Sequence, residues 1–598
     1  MTLPSLATVT TFGLLASVSC TPLCAQFPGQ KTWCNPIDID YKYNFEQRER
    51  GISFRSGADP VIINHKGEYF LFVTISGGWW HSKDLVNWRF IKPDVSPHEW
   101  PKEDMCAPAA LSVGGRLYLF QSTFGRRPIW VSDAPETGRL EHFNPLLPQM
   151  PGAQGPWDPD IFHDPDTGRW FMYFGSSNLY PLYGIELDPT NRLTYLGTAV
   201  ELFKLRPERH GWERFGPNHT SSITPFLEGA WMTKHRDKYY LQYGAPGTEY
   251  NVYANGTYVG DSPLGPFTYA PNNPVSYKPG GFVTGAGHGN TFLDNHGNYW
   301  NTGTAWLAVN FDFERRLVMF PCAFDEEGLM HATTRFGDFP HYLPTNKWKR
   351  AEELFTGWML LSYRKPVASS SWRDVFPAAN VTDENIRSFW VAGSNNPGEW
   401  LTVDLGHTCE VRAVQVNFTD YKSGIYSNWA NVYTQFKLHA SNDGASWAPI
   451  ADLTNEKRDR PNAYLELKQP VTARYIKYEH VYVASPNLAI SDLRVFGYGH
   501  GEVPRTPANL QVRRDANDPR TAFITWEDVP GAVGYNILWG LTTDQGDKLY
   551  QCYQVFADQR PALELRALTI DQPYSFAIEA FNENGVSKVS KVVGIGLR

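Results

Sequence analysis

The chain has 598 residues, too many for one ordinary hydrophobic core, so two to four domains are expected. Aromatic residues make up 15% of it and charged residues 19%, a balance that suits a β-rich protein with aromatic-lined surfaces and excludes a coiled coil or a disordered chain. The net charge of -8 is spread without long runs, which leaves no basic stripe for nucleic acid.

Residues 1–25 combine an apolar stretch with small residues before Ala25, the pattern of an export signal cleaved near Gln26, although no Lys or Arg precedes the apolar stretch. Cys20 and Cys24 do not match a lipid-attachment context well. Beyond them lie Cys34, Cys106, Cys322, Cys409 and Cys552, odd in number and widely spaced, which is neither a disulfide framework nor a zinc spacing. No later segment is long and apolar enough to span a bilayer.

One phrase then recurs five times: "ADPVIINHKGEYFLFVT" from Ala58, "CAPAALSVGGRLYLFQS" from Cys106, "WDPDIFHDPDTGRWFMYFG" from Trp157, "LEGAWMTKHRDKYYLQYG" from Leu227 and "GHGNTFLDNHGNYWNTG" from Gly287. Each copy has a small or acidic start, an apolar strand, a turn built on Gly or Asp, and an aromatic second strand, which is a hairpin. Copies about 50 to 70 residues apart leave room for two more strands, the size of a four-stranded propeller blade. The expectation is a five-bladed β-propeller over residues 26–345; a sandwich with look-alike hairpins accounts less well for five ordered copies.

In a propeller the innermost strands run along the axis, so the residues at their mouths converge. Those positions hold Asp59, Ala107, Asp158, Glu228 and His288. Crowding carboxylates costs energy through repulsion and desolvation, and at a convergent site chemistry explains that cost better than stability does. Asp160 shares a strand face with Asp158 and is a weaker candidate. Asp164, Asp166 and Gly168 read as the hairpin turn, since the alternating ligands and distal Glu of a calcium loop are missing.

Glycosidic hydrolysis needs one acid to protonate the leaving oxygen and one carboxylate to activate water, roughly 6.5–9.5 Å apart when configuration inverts. Asp59 is the candidate base and Glu228, in the apolar phrase "FLEGAWM", the candidate acid; Asp158 would lie between them and raise the pKa of the acid. Trp79, Trp80 and Trp157 are candidates to stack on a sugar ring, each with core packing as the plainer reading. His288, flanked by glycines, is read as holding a central water or ion, or as filling the channel. Arg315 and Arg316 are read as reaching a sugar hydroxyl or, more plainly, as solvated surface.

These phrases, with "HSKDLVNWRF" and "GDSPLGPF", stand in the order of glycoside hydrolase family 43, which the chain resembles over about residues 50 to 300. The resemblance implies a five-bladed propeller and an inverting mechanism, with Asp59 as general base, Asp158 as pKa modulator, Glu228 as general acid and His288 as a channel histidine that in some members contributes to a hydrated metal site. No cofactor is required, and a structural calcium in the channel is the one the resemblance admits. "DMCAP" departs from the Trp that many relatives carry before Ala-Pro, so Met105 and Cys106 suggest a reshaped wall beside the sugar.

After a connector over 346–362, residues 363–498 resemble a discoidin-like (factor V/VIII C-type) β-sandwich, with Trp390 and Trp400 at framework positions. A Pro- and Gly-rich linker over 499–505 leads to residues 506–598, which resemble a fibronectin type III domain with Trp526 and Tyr535 of buried type. The fold class is therefore all-β, a five-bladed propeller followed by two β-sandwiches. The function expected is an exported, monomeric, exo-acting inverting glycosidase that trims a plant-type polysaccharide. An α-L-arabinofuranosidase is the first choice; β-D-galactofuranosidase, β-xylosidase and exo-β-galactanase are alternatives on the same mechanism. A non-catalytic carbohydrate-binding propeller and a transferase on the same scaffold are the competing classes.

Overall fold

A computed structural model describes residues 31–95, 105–122, 127–427 and 431–597. The expected export segment lies outside the described residues. Among the described residues no helix is long and apolar enough to cross a membrane.

All five repeated phrases open antiparallel sheets. Sheet one runs Val61–His65, Glu68–Phe72, Trp79–Ser82 and Arg89–Ile91; sheet two runs Ala109–Val113, Arg116–Phe120, Ile129–Ser132 and Glu141–Asn144. Sheet three runs Asp160–His163, Trp170–Phe174, Leu182–Asp188 and Thr194–Phe203, and sheet four Glu228–His235, Lys238–Ala245, Ala254–Gly260 and Phe267–Tyr269. In sheet five Thr284–Gly287 and Thr291–Leu293 together face Tyr299–Trp306, followed by Arg315–Phe324 and Met330–Ala332. Positive φ at Lys66 and Gly67, and again at Gly114 and Gly115, makes the two-residue turns whose twist suits a hairpin. Asp164 accepts from the Asp166 amide and the Thr167 hydroxyl, so the aspartates of the third copy do form its turn.

The sheets are stitched in a closed cycle. The Ala107 amide of sheet two donates to Thr74 Oγ1 of sheet one at 2.8 Å, and the Asp158 amide to Ser122 Oγ of sheet two at 3.1 Å. Asp160 Oδ2 accepts from the Met232 amide of sheet four at 2.7 Å, and the Trp231 indole N–H donates to the Thr291 carbonyl of sheet five at 3.0 Å. The cycle closes where the Asp59 amide donates to Thr304 Oγ1 at 2.8 Å and Asn290 both accepts from and donates to the Ile62 backbone at 2.9 Å.

Residues 359–498 form an eight-stranded antiparallel arrangement around a core that contains Trp390, Val403, Phe436 and Leu493. Trp390 is fully buried, whereas Trp400, expected in the same core, is half-buried beneath the Lys477 ammonium. This unit meets the five-sheet body through charge. Arg55 pairs with Asp420 and Asp459, and Arg316, 1% exposed, donates to Asn462 Oδ1 and the Arg55 carbonyl. Arg316 is thus a buried interface residue, neither a ligand for a sugar hydroxyl nor solvated surface. Arg315 lies over the Phe313 ring instead.

The last unit has two sheets, Gln511–Arg514 with Ala522–Thr525 and Ala562–Leu565, and a second built on Gly534–Thr543 and Tyr574–Asn582. Trp526 and Tyr535 are buried in it as expected. Its core is continuous with that of sheets three and four: Trp539 packs edge-on to Tyr277, and the Gly211 amide donates to the Leu568 carbonyl.

Arg494 ties Glu384 of its own unit to the body. It grips Glu384 with both nitrogen branches and donates to the Asp338 carbonyl at 2.7 Å, all out of solvent. Removing one partner of a buried pair strands the other charge, so Arg494→Met is expected to cost ~3–5 kcal/mol. Calorimetry should show the main transition moving down, and adding Glu384→Gln should recover much of the loss.

Candidate active site

The mouth positions share a backbone conformation that separates them from ordinary strand residues. Asp59, Ala107, Asp158 and His288 have φ of 54°, 39°, 45° and 44°, and in sheet four the equivalent turn falls on Gly229 at 65°. The left-handed region costs an L-residue roughly 1–2 kcal/mol, so four non-glycine residues held there mark a geometry the surrounding ring imposes. At Gly229 a side chain has no room, since a Cβ would stand 2.8 Å from the His288 ring.

This conformation brings the predicted residues together. His288 Nδ1 lies 3.3 Å from Asp59 Oδ1, 3.6 Å from Glu228 Oε2 and 4.0 Å from Asp158 Oδ2. One ligand atom from each of Asp158, Glu228 and His288 falls within 4.8 Å of the others. Asp59, Asp158 and His288 are each under 10% exposed and Glu228 is half-buried, so the acids meet in a small and largely dry space.

The electrostatics follow from that dryness. Burial alone would lower His288, but the surrounding carboxylates, Asp59 first, outweigh it and hold the imidazole up at about 10, so the ring is a cation at neutral pH. Burial pushes Asp158 up to about 7; the His288 charge opposes the rise, while Glu228 and Asp59 add to it. A carboxyl group that titrates near neutrality, beside two other acids and a cation, equips the site to take up and release protons in its working range.

Hydroxyl groups fix each acid, and sequence reasoning missed them. Thr74 Oγ1 donates to Asp59 Oδ2 at 2.6 Å, Ser122 Oγ to Asp158 Oδ1 at 3.1 Å, and the Tyr253 hydroxyl to Glu228 Oε1 at 2.6 Å. Thr74 and Ser122 are the closing residues of the first two repeated phrases, and Thr304 follows the fifth directly, so the repeat carried their signal. Tyr253, in "NVYANG", carried none.

Other candidates are placed elsewhere. Trp79 and Trp80 are fully buried, their indole N–H groups held by the Pro135 carbonyl and Asp40, and their faces are taken up by core packing instead of being open to a sugar. Asp160 is 1% exposed and aimed at the Met232 amide, which makes it a stitch between sheets three and four and not a second acid of the site. Cys106 is half-buried, its sulfur in no disulfide, one residue before the Ala107 mouth position. Trp157 lines a cavity between sheets two and three.

Residues 51–330 match the profile described as Glycosyl hydrolases family 43. This part of the chain is a family 43 glycoside hydrolase domain. Residues 366–487 match the F5/8 type C domain, so the chain carries a glycoside hydrolase domain followed by a discoidin-like domain. Among curated relatives, Xylosidase/arabinosidase 43A of Humicola insolens is 29% identical over 267 residues, which cover 38% of this chain and 74% of that one. A Putative beta-xylosidase of Escherichia coli (strain K12) is 24% identical over 33% of this chain, and the match spans 35% of that protein's length. A solved structure described as Glycoside hydrolase aligns with a TM-score of 0.45 at 19% identity, over 74% of this chain and 97% of its own.

Burial also pushes Asp160 up, to about 8. Its folded form favours the proton, so the stability this confers is complete below the ordinary aspartate value of 3.8 and is lost as pH rises through about 8. Asp160→Asn keeps an acceptor for Met232 and has no charge to bury. Thermal melts should therefore show the variant gaining on the parent between pH 6 and pH 9; a constant difference across that range would contradict the assignment.

Proposed function

We propose that the domain is an exo-acting, inverting glycosidase that releases terminal α-L-arabinofuranosyl units from a plant-type polysaccharide. The observation that carries the reading is the meeting of Asp59, Asp158 and Glu228 around one histidine nitrogen. The five sheets, stitched in a cycle, act as five blades whose shared funnel admits one terminal ring. In this reading Asp59, held by Thr74, takes a proton from the attacking water. Glu228, oriented by Tyr253, gives its proton to the leaving oxygen. Asp158 lies between them, and its charge tunes the acid. His288 spreads positive charge among the three, so that the acids stay close without repelling one another apart.

The names of the relatives, xylosidase/arabinosidase and putative beta-xylosidase, favour a pentose and make β-xylosidase the second reading; β-D-galactofuranosidase and exo-β-galactanase stand behind it. No cofactor is required, because the imidazolium supplies the charge the carboxylates need. Asp158, Glu228 and His288 also fit a hydrated cation as a donor set, since Nδ1 has no aligned hydrogen-bond partner; calcium bound there would supply positive charge in place of the proton. The last unit is read as a fibronectin type III spacer, and the protein as an exported monomer.

Nitrophenyl arabinofuranoside, xyloside, galactoside and galactofuranoside distinguish the substrates, and NMR of the first-formed anomer reads the stereochemistry. Inverted product from the arabinofuranoside is expected, and retained product would overturn the mechanism. Glu228→Gln should lower kcat by about 10²–10⁴-fold with substrate binding preserved. A carbohydrate-binding propeller without catalysis would show no turnover in the parent.

A further inference from the structure

A cavity of about 700 Å³ lies beside the funnel, between sheets two and three, with Trp157 in its wall one residue from Asp158. Its lining includes Phe120, Arg127, Gln149, Gln154 and Tyr195, and none of the three carboxylates of the site. The volume falls within the roughly 300–1,000 Å³ of small-molecule sites, more than a single water cluster needs.

Two polar groups of this wall lack partners. Arg127 Nε and the Tyr195 hydroxyl are both buried, and neither makes a hydrogen bond among the described residues. No Asp or Glu is among the described lining residues, so a guanidinium borders the cavity without a counter-charge in it. A buried N–H with no partner is costly, as is a buried hydroxyl with none. A ligand that brings an anionic group and a hydroxyl acceptor offsets both costs. The guanidinium fork suits a carboxylate or a sulfate, the phenol suits a ring hydroxyl, and the indole of Trp157 in the wall gives an apolar surface against which a pyranose packs.

We propose that this cavity binds an anionic sugar unit of the glycan, a uronic acid or a sulfated sugar, next to the residue being released. The proposal rests on the glycosidase reading for its place in a substrate, while its binding chemistry rests on the cavity alone. It makes Arg127 a specificity residue that holds a charged neighbour of the scissile unit and touches none of the reacting atoms.

Isothermal titration of the full chain with glucuronate, galacturonate and a 6-sulfated galactose, set against glucose and galactose, tests it. At least one anionic sugar should bind measurably tighter than its neutral counterpart. Which one does so tells carboxylate from sulfate. Arg127→Gln should erase the preference, by about tenfold or more, and Tyr195→Phe should weaken it while the ring stays in place. Turnover of nitrophenyl arabinofuranoside, which lacks an anionic neighbour, should stay within about twofold of the parent in Arg127→Gln. If Arg127→Gln does not fold by circular dichroism, Tyr195→Phe and the comparison of sugars on the parent decide. Equal binding of anionic and neutral sugars, or a preference that survives Arg127→Gln, overturns the proposal and leaves the glycosidase reading untouched. Absent chromogenic turnover in the parent overturns that reading and leaves the anion preference standing.

Discussion

Three carboxylates held within about 4 Å of one imidazole nitrogen are the arrangement on which the rest of this structure depends. In water such a group of acids would spread apart; out of water it persists only if the backbone fixes each member and a positive charge sits among them. His288 provides the charge, and its proton is held because the acids surround it. Burial, with Glu228 and Asp59 adding to it against the His288 charge, lifts Asp158 toward neutrality, so a geometric constraint becomes a chemical property of the site.

The ring of sheets imposes the geometry. Four of the five mouth residues turn through a left-handed backbone, the turn of sheet four falling on Gly229 instead, and at three of the five the amide is captured by a hydroxyl of the preceding sheet: Asp59 by Thr304, Ala107 by Thr74, Asp158 by Ser122. Thr74 and Ser122 then turn back to the acid of their own or the next sheet. One small set of hydroxyls therefore both closes the ring and aims the carboxylates, so stability and function are coupled at these positions. Two residues beyond the mouth, Asp160 and Asn290 do only the structural half of this work, by hydrogen-bonding the backbone of the neighbouring sheet.

Both C-terminal units are fastened to the body by buried contacts: Arg494, Arg55 and Arg316 on one side, and the shared aromatic core of Tyr277 and Trp539 on the other. Interfaces of this kind, rich in paired guanidinium groups, fix orientation more than they add net stability. They brace sheets one, three, four and five from outside, and the cavity beside Trp157 lies between sheets two and three.

The five-fold phrase made the architecture of the body and the acids at its mouths legible, because strand alternation, turn chemistry and position within a repeat are local properties that a sequence records directly. Thr74, Ser122 and Thr304 were recorded there too, as the closing residues of the copies. The roles of the large aromatics and the arginines were not. Trp79 and Trp80 look like a sugar platform in "ISGGWWHS" but face the core, Arg316 disappears into an interface formed with Asn462, and Tyr253 reaches Glu228 from a phrase without a motif. Whether a ring or a guanidinium is covered, and by what, depends on chain segments tens to hundreds of residues away, and only the packed structure brings those segments together.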